Sequence, residues 1–216
     1  MRILLLSLLI CATSAAAQPA PSIDCDAVKN SMAPVELAFH GGDGAKTIVQ
    51  SHRDASGGYV VWSRHTPLVT SPNPPVYVTK ATYVGGFIAS AELFTTWSGK
   101  YSHTVSRYAF DGLPKGFDRR SDATYQMYSL VTHGDDSIEE KANTISYKYK
   151  SEEAITVGAC VLQAIHGETD TTTDTGRTLH AYQVYFPELR IFAVANDAEP
   201  IVDSVSTDFS EIKPVN

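Results

Sequence analysis

The chain has 216 residues, with 24 acidic against 17 basic side chains for a formal net charge of −7, and 43% of it is apolar or aromatic. That apolar share excludes a disordered chain, which cannot bury enough surface to offset ordering. The acidic balance argues against general nucleic-acid binding, which needs a basic face.

Residues 1–17 read as a secretory signal peptide. Met1-Arg2 is a positive start, Ile3 to Ala12 is largely apolar, and Ala15-Ala16-Ala17 before Gln18 forms a small-residue cleavage site. The stretch is too short to span a bilayer as a mature helix. Removing it leaves 199 residues and, because Arg2 is its one charge, a formal charge of −8. Residues 18–216 carry no fixed-period repeat, no heptad and no shift in composition, and so read as a single β-rich domain. A periplasmic or secreted location is expected, with no membrane span in the mature chain.

Of three cysteines, Cys11 lies in the signal peptide, and the bulky Ile10 before it argues against lipid attachment. Cys25 and Cys160 remain. An even count in an exported chain favours a disulfide, which here closes a loop of about 135 residues. The alternative is that Cys160, within the apolar run Ile155–Ile165, is a buried free thiol. Neither cysteine has a neighbouring His or Gly-rich turn that would make it a nucleophile.

In chain order, 22–30 reads as a short helix with Ser22 as its cap and Pro34 as its stop. Strands follow at Val35–His40, Lys46–His52 and Tyr59–His65, with turns at Gly41–Gly44 and Asp54–Gly58 where glycines supply positive φ. The Pro-rich stretch Pro67–Pro75 cannot donate ladder hydrogen bonds and reads as a connector. Val76–Val84 and Phe87–Phe94 form a hairpin about Gly85-Gly86, and Tyr101–Phe110 follows the turn at Ser98-Gly99. Asp111–Arg120 is a long polar loop without periodicity, which marks either a functional or a mobile segment. Thr124–Thr132 and Thr144–Lys150 are strands separated by an acidic region with room for a short helix. Ile155–Ile165 and Thr178–Phe186 are joined by a Thr/Asp-rich loop, Thr169–Gly176, and Arg190–Val194 and Ile201–Ile212 complete the chain. The fold expected is all-β with one short N-terminal helix: a curved antiparallel meander sheet, half-barrel or open barrel, of about ten strands.

No chemical signature accompanies this pattern. The seven histidines (His40, His52, His65, His103, His133, His166, His180) include no close ligand pair, so no metal is expected, although adjacent strands can bring His40, His52 and His65 together. Asp170–Gly176 offers oxygen ligands without calcium-loop spacing. There is no Gly-x-Ser-x-Gly elbow, and Gly41-Gly42-Asp43-Gly44 is a turn rather than a phosphate loop. Glu92 and Glu188 are nameable as glycosidase acids but carry no local signature. No cofactor and no catalytic residue is assigned.

Tyrosine is more informative. Tyr77, Tyr83, Tyr101, Tyr108, Tyr125, Tyr128, Tyr147, Tyr149, Tyr182 and Tyr185 all fall on predicted strands. They serve either ordinary sheet packing or a concave Tyr-lined face that receives an apolar ligand or a partner segment.

The run Val157-Gly158-Ala159-Cys160-Val161-Leu162-Gln163-Ala164-Ile165 and, after a polar loop, Ala181-Tyr182-Gln183-Val184-Tyr185-Phe186-Pro187-Glu188-Leu189 resemble the closing hairpin of bacterial periplasmic β-half-barrel proteins, the group that includes lipoprotein carriers. The resemblance covers about forty residues. It implies a long curved sheet, a helix over part of its concave side and a role in handling lipidic or envelope material, and it transfers no site residue. The leading expectation is an exported, non-enzymatic protein that binds an apolar ligand or an envelope partner. A hydrolase acting on polysaccharide or peptidoglycan and a structural module of an envelope assembly are the alternatives.

Overall fold

The computed structural model describes residues 24–30, 34–53, 59–66, 75–84, 87–97, 100–207 and 210–213. The expected signal peptide, Ser22, the Asp54–Gly58 turn, residues 67–74, Gly85-Gly86 and Ser98-Gly99 lie outside the described residues.

One helix, α1 (Cys25–Asn30), precedes strands β1 (Val35–His40), β2 (Lys46–Arg53), β3 (Tyr59–Thr66), β4 (Val76–Val84), β5 (Phe87–Trp97) and β6 (Lys100–Asp111). Then come β7 (Ala123–His133), β8 (Ile138–Val157), β9 (Cys160–Thr173), β10 (Thr178–Phe186), β11 (Ile191–Ala195) and β12 (Ile201–Ser206). All belong to one antiparallel sheet in the order β11-β10-β9-β8-β7-β6-β5-β4-β3-β2-β1-β12. The expected all-β meander is therefore present.

Chain length forces this sheet to roll. Laid flat, strands at about 4.8 Å spacing would put the two edges about 53 Å apart. Yet β11 and β12, the two edges, are joined only by residues 196–200. A segment that short reaches about 20 Å. The sheet closes on itself into a nearly complete barrel, with the link passing over the β1–β2 turn. There a Cβ on Gly42 would sit 2.9 Å from Ala198 Cβ and 3.0 Å from Asp197 Oδ2, so only glycine permits the approach.

Several boundaries differ from the sequence expectation. The run Ile155–Ile165 is not one strand: Gly158, at φ 60°, turns the chain between β8 and β9, and Val157 pairs with Cys160. The acidic stretch after β7 holds a tight turn rather than a helix, with Asp135 Oδ1 accepting from Ser137 N at 3.1 Å. The Thr/Asp loop is mostly strand, because β9 runs on to Thr173 and pairs with β8 and β10 on both sides. At the N-terminus it is Asp24 whose carboxylate accepts from Asp26 N, at 3.1 Å, within the first turn of α1. The C-terminal strand stops at Ser206, and the chain continues as a segment fastened by the buried Gln50, whose Oε1 accepts from Ile212 N at 2.8 Å.

The main core lies where the roll closes. Val35, Leu37, Val49, Val61 and Val205 pack with Leu162, Ala164, Val184, Phe186, Ile191 and Ala193. Val28 of α1 joins them, and the Cys25–Cys160 disulfide (Cα–Cα 5.3 Å) fastens the helix to the start of β9. The pairing expected from the cysteine count is therefore formed, and Cys160 is not a free thiol. No helix among the described residues is long and apolar enough to cross a membrane.

Candidate functional site

Cross-strand partners share a face, so the register sorts side chains between the inside and outside of the roll. Tyr77, Tyr83, Tyr108, Tyr125, Tyr147, Tyr149 and Tyr185 fall on the inner face, whereas Tyr101, Tyr128 and Tyr182 fall outside. Most of the strand tyrosines thus converge on one interior.

Four of them, Tyr83, Tyr125, Tyr147 and Tyr185, gather about the loop between β6 and β7. Its glycines at 112 and 116 take positive φ, and Phe117 N donates to Pro114 O at 3.1 Å, folding the loop back toward the sheet. Arg119 and Arg120 then point opposite ways. Arg120 reaches the surface, where Nε and one terminal nitrogen each donate to Glu152 at 2.8 Å, and the other terminal nitrogen to Asp118 at 3.2 Å. Arg119 turns inward. Asp122 Oδ1 accepts from Tyr149 N at 2.9 Å, and Tyr147 Oη donates to the Arg119 carbonyl at 3.0 Å.

The Arg119 guanidinium lies 4.4 Å from the ring centre of Phe192, 4.9 Å from Tyr185, 5.4 Å from Phe87 and 5.8 Å from Phe117. Those rings come from β11, β10, β5 and the loop itself. A second tier continues outward: Phe110 to Phe87 at 5.6 Å, Tyr125 to Phe110 at 6.0 Å, Tyr147 to Phe117 at 5.5 Å and Tyr83 to Phe192 at 6.3 Å. Side chains from β4 to β8, β10 and β11 can meet around one cation only from the inside of a rolled sheet. Arg119 holds φ at 70°, a region that costs an L-residue about 1–2 kcal/mol. Such strain persists where surrounding contacts over-determine it, and it is concentrated at functional sites.

The electrostatics follow from burial. Desolvation pulls Arg119 below its ordinary value, partly countered by Tyr185, Tyr125, Tyr147 and Tyr83. Burial pushes Tyr83 and Tyr147 up to about 12, against the pull of the Arg119 charge, and raises Tyr125 for the same reason. These phenols stay neutral at physiological pH. Packing is equally tight: a Cβ on Gly167 would fall 2.4 Å from Tyr147 Oη and 2.5 Å from its ring, so the ring lies directly over a glycine.

Beside this cage is a cavity of about 300 Å³, and Tyr83 and Phe192 belong to both. Its apolar wall is Phe39, Val49, Val61, Ala81, Ile88 and Val194, its polar side chains are Thr47, Ser63, His65 and Thr79, and Arg190 also lines it. His65 Nδ1 and Thr47 Oγ1 are hydrogen-bonded at 3.0 Å. No described residue of α1 lines it. A larger depression of about 590 Å³ is open and lies along β6, β7 and β8, apart from the cage.

The other sequence candidates do not converge. His65 is on the inner face, whereas His40 is outside with Asp203 at 2.9 Å, and His52 is on the outer face of β2. Glu92 is bracketed outside by Lys80 and His103, each at 3.3 Å, and Glu188 caps Gln163 N at 3.2 Å. Asp170 accepts from His180 at 2.7 Å. Among the described residues no group of three His, Cys, Asp or Glu side chains is placed to hold a metal. The residues that sequence reasoning passed over are Phe117 and Arg119. Their signal was an aromatic and an arginine pair inside a loop otherwise polar.

No protein-family profile matches the chain, and neither a curated protein nor a solved structure is significantly similar to it.

Proposed function

We propose that this is an exported binding protein that takes a small, largely apolar ligand inside its rolled sheet. The observation that carries the reading is the interior cavity of about 300 Å³ walled by Phe39, Val49, Val61, Ala81, Ile88 and Phe192. Its size is at the lower end of small-molecule pockets, and its composition follows their pattern of apolar walls with a few polar groups. Export is supported by the N-terminal signal-peptide pattern and by the Cys25–Cys160 bridge, since disulfides persist in oxidising compartments.

The test fills the cavity. A neutral environment-sensitive probe such as N-phenyl-1-naphthylamine should brighten on binding the wild type, and Ala81→Phe, which puts a ring into the cavity from β4, should abolish the signal while the fold survives by circular dichroism. Equal brightening with the folded variant would remove the cavity from the account.

A further inference from the structure

We infer that the outer face of β6, β7 and β8 is a self-association surface, on which a second copy of this chain docks about a twofold axis running along β7. Three register rows carry the argument, all on the outside of the roll. The first is Val105, Thr132 and Ile138, the second Arg107, Leu130 and Glu140, and the third Ala109, Tyr128 and Ala142. Ile138 is 65% exposed, Tyr128 45% and Leu130 36%, so the apolar strip on this face is uncovered.

A twofold axis that lies between two facing sheets and parallel to β7 sets β6 of one copy against β8 of the other. Every row suits that exchange. Arg107 comes to face Glu140 of the partner subunit, Val105 faces Ile138 of the partner subunit, and Ala109 faces Ala142 of the partner subunit. Leu130 and Tyr128 meet their own images on the axis. Within one chain the two charges do not serve each other. They stand two strands apart, about 10 Å, with Leu130 between them. Neither makes a side-chain hydrogen bond or ion pair among the described residues.

Shape agrees with charge. With alanine on both sides of Tyr128, the face is hollowed into the open depression of about 590 Å³, which the Tyr128 ring of the partner subunit can enter. The convex roll limits contact to about three strands by seven residues, a patch about 14 Å wide and 23 Å long. That is less than half of the roughly 800 Å² per partner of a standard interface, so the dimer is reversible rather than obligate.

Sedimentation velocity from about 10 µM to about 1 mM should show a monomer–dimer equilibrium that weakens as salt is raised. Arg107→Glu and Glu140→Arg each set like charges together twice per dimer, and each should weaken association about tenfold or more. Mixed one to one, the two variants should associate again, because both contacts across the axis then pair opposite charges. Leu130→Lys, which puts like charges on the axis itself, should abolish association by an independent route, with circular dichroism checking that each variant keeps its sheet. A wild type that stays monomeric to about 1 mM would overturn the inference and leave the face to a foreign partner. Dimers indifferent to the charge reversals, or folded reversals that the mixture does not rescue, would overturn the twofold register.

Discussion

Two interiors share this rolled sheet, and they are built from opposite materials. Where the roll closes, β1 and β12 meet one face of β9, β10 and β11 through Leu37, Val205, Leu162, Val184 and Ile191, all aliphatic and nearly all without solvent contact. On the opposite face of β10 and β11, Tyr185 and Phe192 turn to an arginine, a tier of phenols and a cavity. The first region sets aliphatic side chain against aliphatic side chain. The second has rings with polar tips, a strained backbone and a desolvated cation, and these make no sense as the cheapest way to fill space. Evolutionary economy aside, aliphatic side chains would fill the same volume without a buried charge. The contrast separates what holds the roll shut from what gives it an inside worth reaching.

The largest effect should come from the closing region. Replacing both cysteines by serine releases a loop of 135 residues, worth about 4–5 kcal/mol in the chain-entropy model. Denaturant melts should show that loss, while the folded double variant still binds probe. Abolished binding in a variant with an intact sheet would mean that the two regions are not separable.

Gly167→Ala attacks the cage instead. The new methyl must displace the Tyr147 ring and with it the hydroxyl that holds the Arg119 carbonyl, at a cost of about 1–3 kcal/mol. In a Tyr147→Ala background the same change should cost almost nothing, and a double-mutant cycle measures that coupling. Additive losses would show that the ring does not lie over the glycine.

The phenols give a pH signature of smaller size. Folding raises Tyr83 and Tyr147 to about 12 from an ordinary value of 10, so above pH 10 the unfolded chain ionises them before the folded one does. The folded state binds more protons there, and stability falls as pH rises through the 10–12 window. Tyr83→Phe and Tyr147→Phe should each flatten that fall. An unchanged alkaline transition in both would place the phenols in water.

The mildest effect concerns the anchor of the loop. Hydrogen bonds from Arg120 hold Glu152 below the usual carboxylate range. Its contribution is present above the ordinary carboxylate value and is lost as pH falls through the depressed one. Hydrogen exchange in residues 111–122 should quicken on acidification below about pH 4.5, and Glu152→Gln should show the quick rate already at neutral pH. Identical exchange in both proteins would leave Arg120 without an anchoring role.

Much of the closing region is legible in the sequence, because its signals are local or periodic. Alternation places β1 to β6 and β10 close to their observed bounds, Gly41 to Gly44 mark the β1–β2 turn, and an even cysteine count points to the bridge. The errors fell where the signal was ambiguous. Val157 and Cys160 flank two small residues inside an apolar run, so periodicity alone cannot show that the chain reverses there. Thr169–Thr173 looked like loop because polar residues on a sheet face have loop composition, and neighbours on both sides make them strand. The cage was legible only in part. That tyrosines cluster on strands is written in the sequence. That Arg119 enters among them depends on one positive φ and on strands from opposite sides of the roll, and neither leaves a mark at the level of spacing.

The most direct measurement is native mass spectrometry of the protein purified from its own host, run beside Ala81→Phe prepared in the same way. An interior binding protein should carry a one-to-one adduct that is lost on denaturation and absent from the variant. A bare mass for the wild type, or the same adduct on both proteins, would contradict the claim that the inside of the roll is where this protein works.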